Sequence, residues 1–154
     1  MSFRHPDSGS GLFNEVKVLS EIKRLTGCLA QSILINGYSP DYWLIKNNKI
    51  KAVCEIKGRS YDFGVKPIDK SVNIGYSKFY HCLNMAKNSG KPFYLILTFL
   101  NGIYFYRYTE GDEGKFTHLD SWGRYDRGDK YDIEPAVSIP IALFKPLSTI
   151  KKIK

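Results

Sequence analysis

Residues 39–59 read S-P-D-Y-W-L-I-K-N-N-K-I-K-A-V-C-E-I-K-G-R. Two runs of strand-like composition, 41–46 and 50–57, flank Asn47-Asn48, a pair that suits a tight hairpin turn. Pro40-Asp41 opens the hairpin and Glu55-Ile56-Lys57 closes it, so charged groups end an otherwise apolar strand. Unpaired charges are costly to bury, so a charge pair embedded there needs a reason. Side chains alternate along a strand, which points Glu55 and Lys57 to one face, roughly 7 Å apart.

Whether Asp41 joins them is a matter of register. A two-residue turn at Asn47-Asn48 pairs Asp41 with Cys54 and leaves Glu55 on the other face. A three-residue turn, Asn47-Asn48-Lys49, pairs Ile50 with Lys46 and Glu55 with Asp41. A slip of one residue inverts every side chain. A shared face therefore requires the three-residue turn or a bulge near Asp41. Two carboxylates that meet repel each other unless a cation lies between them. Oxygen ligands with room for water and phosphate suit Mg²⁺, with Mn²⁺ as a substitute, better than zinc. Such a cation polarises a phosphate and lowers the pKa of a bound water. Lys57 is placed to orient that water or to offset the developing negative charge. The plainer alternative is a surface hairpin with a turn-capping Asp and a solvated Glu and Lys, since an isolated D…ExK match is more often accidental than catalytic.

The rest of the chain frames this segment. At 154 residues there is room for one domain with a proper core, and the span 1–154 is read as one. The aromatic share of 14% excludes a disordered chain. No apolar run approaches the roughly 20 residues that span a bilayer, and residues 1–11 lack a signal-peptide core. A cytoplasmic protein that meets no membrane is expected. Cys28, Cys54 and Cys82 are odd in number and widely spaced, which favours buried free thiols. The formal charge of +8 fits a polyanionic partner, nucleic acid being the commonest, although solubility alone can account for such a charge.

Helical spacing through Leu12, Val16, Leu19, Ile22 and Leu25 predicts a helix over 12–25, stopped at Gly27. A strand is predicted over 30–35. Residues 58–75 lack steady periodicity and read as a long connection folding over the site. Helical spacing returns over 76–88. Strands at 93–99 and 103–108 flank Asn101-Gly102, a type I′ turn signal. Residues 109–135 read as a charged loop, 136–144 as a last strand, and the Lys-rich tail as a frayed end. The order predicts an α/β sandwich, a mixed central sheet with a helix on each side.

Pro40-Asp41 followed by Glu55-Ile56-Lys57 resembles the signature of the PD-(D/E)xK nuclease superfamily. The element order over about residues 10–108 is similar to that superfamily's restriction-endonuclease-like αβββαβ core, closest in pattern to the Holliday-junction resolvases. Resolvases carry a glutamate on the first helix, and Gly11-Leu12-Phe13-Asn14-Glu15-Val16 is similar there. The resemblance implies a Mg²⁺-dependent DNA endonuclease, with recombination, repair or genome processing as its setting and a dimer as its working form. Asp41, Glu55, the Ile56 carbonyl and Glu15 would hold the metal, and Lys57 would be the catalytic lysine. A first-turn Glu favoured by the helix dipole is the plainer role for Glu15, and Glu21 is the fallback acid. The superfamily's helix after the ExK strand often offers a polar residue. Lys78 is the best candidate for it here, ahead of Tyr76 and His81.

Arg59, Ser60, Lys66, Lys70, Arg124 and Arg127 are further candidates for DNA contact, through phosphate neutralisation. Asp126, Asp129, Asp132 and Glu134, spaced among Arg124, Arg127 and Lys130, read first as a loop tied by its own ion pairs. Two other classes compete with a nuclease: a non-catalytic DNA-binding protein on the same fold, and an interaction module whose charge serves solubility.

Overall fold

The computed structural model describes residues 9–33, 42–59, 62–64, 71–123 and 133–154. A first helix, α1 (Gly9–Thr26), precedes three strands, β1 (Leu29–Ser32), β2 (Tyr42–Lys46) and β3 (Lys49–Gly58). Strand β4 (Ser71–Gly75) runs directly into the second helix, α2 (Tyr76–Ser89), and the hairpin β5 (Phe93–Phe99) and β6 (Gly102–Arg107) follows. Strands β7 (Thr117–Gly123), β8 (Ile133–Pro140) and β9 (Lys145–Pro146) complete the order.

Strand β3 lies inside a six-stranded sheet of order β1-β2-β3-β5-β6-β9. It pairs antiparallel with β2 and parallel with β5. A parallel neighbour needs a crossover, and α2 lies in that crossover. Phe79, Cys82, Leu83 and Ala86 of α2 share an apolar cluster with Val53, Leu95 and Leu97 on one sheet face. Val18 and Ile22 of α1 share a second cluster with Leu44, Ala52, Cys54 and Ile56 on the other. The pleat sends alternate β3 residues to alternate helices, so each helix covers one face.

The expected sandwich with a helix on each side is therefore present, but the second sheet was not foreseen. Strands β4, β8 and β7 form a three-stranded antiparallel sheet of that order. Part of the expected connection over 58–75 is thus a strand. The charged loop over 109–135 likewise begins with a 3₁₀ turn, Asp112–Lys115, and then becomes β7. Neither strand has a strong local signal; each is held by pairing with β8, whose Ala136, Val137 and Ile139 are fully buried. Val72, Ile74, Val137 and Ile139 belong to the same cluster as α2 and β5, so one core spans both sheets. The last predicted strand shifts as well: β8 ends at Pro140 and the chain turns through Ile141–Leu143.

The two hairpin turns fare differently against expectation. Phe99 pairs with Gly102, so the second hairpin turns at Leu100-Asn101, without the left-handed pair expected at Asn101-Gly102. Left-handed backbone occurs instead at Asn47 (φ 54°) and Asn48 (φ 60°), where Lys46 pairs with Lys49. The tail does not fray. The Ile153 amide donates to the Thr26 carbonyl, Lys46 Nζ donates to the Ile153 carbonyl at 2.9 Å, and Ile150 is buried under the α1 face. The three cysteines are buried free thiols, as expected.

Candidate active site

The register of the β2–β3 hairpin determines what can meet at its open end. The turn takes two residues, Asn47-Asn48, which alone would have set the unwanted register. Ile45 opposes Ile50, but Leu44 opposes Ala52, so Lys51 is an extra residue on β3. This bulge converts the register, and from there Trp43 opposes Val53 and Tyr42 opposes Cys54. Of the two devices required by the sequence, the bulge is the one used. It lies mid-hairpin rather than beside Asp41. Asp41 itself falls outside the described residues, as do Ser60, Lys66, Lys70, Arg124 and Arg127.

Glu55 points to the α2 side and is 0% exposed. The Lys57 ammonium lies 3.6 Å from Glu55 Oε1, and the Lys78 ammonium lies 3.5 Å from Glu55 Oε2. The Cys82 thiol approaches the same Oε2 at 3.8 Å. Lys57 is in the next inward position of β3, as the pleat requires. Lys78 and Cys82 are four residues apart on α2, hence on one helix face. Their side chains differ in access to solvent: Lys57 is 38% exposed and Lys78 only 13%. Lys78, proposed from the sequence as the helix's contribution, is thus directed at the carboxylate. His81 and Tyr76 are solvent-exposed.

Glu15 is buried on the α1 side, where its Oε1 accepts a hydrogen bond from the Tyr42 hydroxyl. Tyr42 opposes Cys54, the neighbour of Glu55, so Glu15 is held at the same end of the hairpin. The fallback, Glu21, pairs instead with Arg24 at 2.6 Å, and that hydrogen bond lowers its pKa. The Arg59 guanidinium, expected to reach phosphate, donates to the main-chain carbonyls of Gly58 and Asn73, at 3.0 and 2.7 Å. It tethers the end of β3 to β4. Ile56 turns its side chain into the α1-side cluster. Among the described residues, no three His, Cys, Asp or Glu side chains converge as a metal-holding group.

One acidic residue near this site escaped the sequence. Glu134, at the start of β8, is partly buried, and its carboxylate lies directly against the Cα of Gly75, at the entrance to α2. Burial pushes its carboxyl pKa up, and the Lys57 ammonium opposes that rise. In the sequence its neighbours are other charges, so nothing local distinguishes it.

The central sheet, its two covering helices and the buried carboxylate–lysine cluster at the end of β3 define a restriction-endonuclease-like fold of the PD-(D/E)xK kind. A solved structure of similar fold is Archaeoglobus fulgidus Hjc, a Holliday junction resolvase from an archaeal hyperthermophile. The TM-score is 0.52 at 13% identity, over 86% of this chain and 96% of that one. Residues 7–147 match the family described as "Phage putative PDDEXK endonuclease", and the chain belongs to that family. No curated protein sequence matches the chain.

Proposed function

We propose that the protein is a Mg²⁺-dependent DNA endonuclease that hydrolyses phosphodiester bonds. The observation that carries this reading is Glu55, wholly buried at the end of the central strand with ammonium groups 3.6 and 3.5 Å from its two oxygens. Burying a carboxylate is expensive even when it is paired. Membership of an endonuclease family gives that arrangement its purpose.

Asp41, Glu55, Glu15 and the Ile56 carbonyl would hold the cation. Their fit rests on donor chemistry: carboxylate and carbonyl oxygens are the ligands that Mg²⁺ and Mn²⁺ prefer. The bulged register, continued by one residue, would bring Asp41 opposite Glu55. When bound, the metal polarises the scissile phosphate and makes hydroxide available near neutral pH. The chain's own residues do the rest. Lys57, with its partly exposed side chain, can leave Glu55 and orient the attacking water or meet the phosphate oxygen on which charge develops. Lys78, more deeply buried, balances the Glu55 charge in the resting site. Tyr42 keeps Glu15 turned toward this end of the hairpin.

DNA is the proposed substrate, favoured by the family and by a net charge of +8. Likeness to a Holliday junction resolvase makes branched DNA the first structure to try, and the resolvase-like pattern of the sequence makes a homodimer the first assembly to look for. Supercoiled plasmid, linear duplex, single strands and a four-way junction, each incubated with Mg²⁺ or EDTA, test the proposal. Asp41→Asn and Lys57→Ala serve as controls. Metal-dependent cleavage by wild type and its loss in both variants is expected. DNA binding at low salt without cleavage of any substrate would replace the enzyme by a non-catalytic DNA-binding protein. Absence of both would leave an interaction module.

A further inference from the structure

Strand β9 covers the outer edge of β6 only at Tyr104 and Phe105. Where that cover stops, a cavity of about 500 Å³ opens beside Tyr106 and Arg107. It lies along β6, two strands from β3 in the sheet, and Glu55, Lys57 and Lys78 are not among its walls. Phe105, Leu143 and Ile150 give it apolar lining. Arg107, Lys115, Lys145 and Lys151 give it positive charge, and Asp112 is the one carboxylate among the lining residues.

Asp112 does not neutralise this set. Its Oδ2 accepts from the Tyr106 hydroxyl and the Thr109 amide, and its Oδ1 takes Lys115 at 3.4 Å. Glu113, next along the chain, is turned to the Tyr108 hydroxyl and the Lys87 ammonium. Among the described residues, Arg107, Lys145 and Lys151 make no ion pair with a carboxylate. Three unmatched cations lining one concavity focus positive potential there. The Arg107 guanidinium lies over the Tyr94 ring, 5.9 Å from its centroid. Such stacking uses the face of the guanidinium and leaves its N–H edge to meet an anion, phosphate being the one whose oxygens it takes in pairs. The volume far exceeds a phosphate ion and falls within the roughly 300–1,000 Å³ of small-molecule sites, where apolar walls hold the rest of the ligand. We propose that this cavity is a nucleotide site, with Arg107 on the phosphate, Lys145 and Lys151 adding charge, and the base against the apolar wall. A free nucleotide and the 5′-phosphorylated end of a single strand present this chemistry alike. The site is separate from the nuclease centre and does not depend on that reading.

Titration calorimetry in EDTA tests this with dAMP, deoxyadenosine, inorganic phosphate and a 5′-phosphorylated single-stranded oligonucleotide. The proteins are wild type, Arg107→Ala, the double variant of Lys145→Ala with Lys151→Ala, and Lys57→Ala. Arg107, Lys145 and Lys151 are exposed, so their variants should fold, and urea midpoints check that they do. Saturable binding of dAMP is expected. Arg107→Ala should weaken it about tenfold, the effect of losing one charge-assisted bond. The double variant should weaken it too, and Lys57→Ala should leave it unchanged. Deoxyadenosine and inorganic phosphate should each bind about tenfold more weakly than dAMP, or worse. An oligonucleotide that binds more tightly than dAMP and is weakened by the same variants supports the site and makes a strand end its ligand. One that binds no more tightly supports the site and makes a free nucleotide its ligand. Three results would each overturn the proposal: no saturable binding of dAMP or oligonucleotide, binding weakened by Lys57→Ala but not by the cavity variants, or phosphate bound as tightly as dAMP. Cleavage enters none of these measurements, so the site stands or falls apart from the nuclease reading.

Discussion

Glu55 and Asp112 are both buried acids, 0% and 5% exposed, and their surroundings are built on different principles. Asp112 is closed in by short bonds: the Tyr106 hydroxyl donates at 2.7 Å and the Thr109 amide at 3.0 Å, with Lys115 at 3.4 Å. Burial alone would push its carboxyl up. The Tyr106 and Thr109 hydrogen bonds, joined by Lys115, more than reverse that and hold it below 3.8. The partners that the structure describes around Glu55 are two ammonium groups and a thiol, at 3.5 to 3.8 Å. Asp112 has donors that stay. Glu55 has charges that can be exchanged for another cation. Asp112 is held by short hydrogen bonds, whereas the contacts described around Glu55 are balanced by charge.

The largest expected effect falls on the working side. Lys57→Ala should lower cleavage by about 10²–10³, the usual cost of losing one transition-state donor. Its urea midpoint should hardly move, because the side chain is partly exposed. A large stability loss with cleavage retained would make Lys57 a structural residue and break the contrast. Lys78→Met should slow cleavage less than Lys57→Ala does while costing more stability, since Lys78 is the more deeply buried partner. Equal rate losses would place both lysines at the transition state.

Asp112→Asn should reverse the pattern. Unfolding by urea should show a loss of about 1–3 kcal/mol, the cost of breaking a buried bonded acid, with cleavage at saturating DNA near wild type. Its pH dependence has a definite sign. The folded-state pKa of Asp112 is lowered from 3.8, so its contribution is present above that value and lost as pH falls through the folded value. The gap between wild type and Asp112→Asn should therefore close in acid. The hydroxyls of Tyr106 and Tyr108 move the other way. Burial, then bonds to Asp112 and Glu113, raise both from 10.0, so the stability they add is present below pH 10.0 and lost above it. The smallest expected effect is Tyr42→Phe, which removes the hydroxyl on Glu15 at about 1 kcal/mol. Urea midpoints again read it.

The sequence reveals much of the working side and little of the structural one. Glu55 and Lys57 could be read because they interrupt an apolar strand, and α1, α2 and the two hairpins because their periodicity is local. Lys78 was reached through the superfamily resemblance, in which the helix after the ExK strand offers a polar residue, and not from any local signal of its own. Strand β7, T-H-L-D-S-W-G, could not be read, because its partner β8 lies beyond a charged segment and supplies the pairing from a distance. Glu134 was hidden for the same reason: its meaning depends on Gly75, which β4 brings beside β8 only in the folded chain. Asp112 follows Gly111 in a left-handed turn and looks like a loop residue until Tyr106 reaches it.

The extra residue Lys51 also governs which length changes the hairpin can tolerate. Removing Lys51 alone should leave Tyr42 opposite Cys54, because the extra residue has no ladder partner on β2 and its loss only makes the ladder regular. Removing one residue from β2 instead should carry Tyr42 one step along β3 and invert its face. Strand β3 can therefore lose a residue where β2 cannot. A three-residue turn without the bulge would hold the same pairing with the same number of residues between Asp41 and Glu55, so among relatives turn length and bulge should exchange for one another.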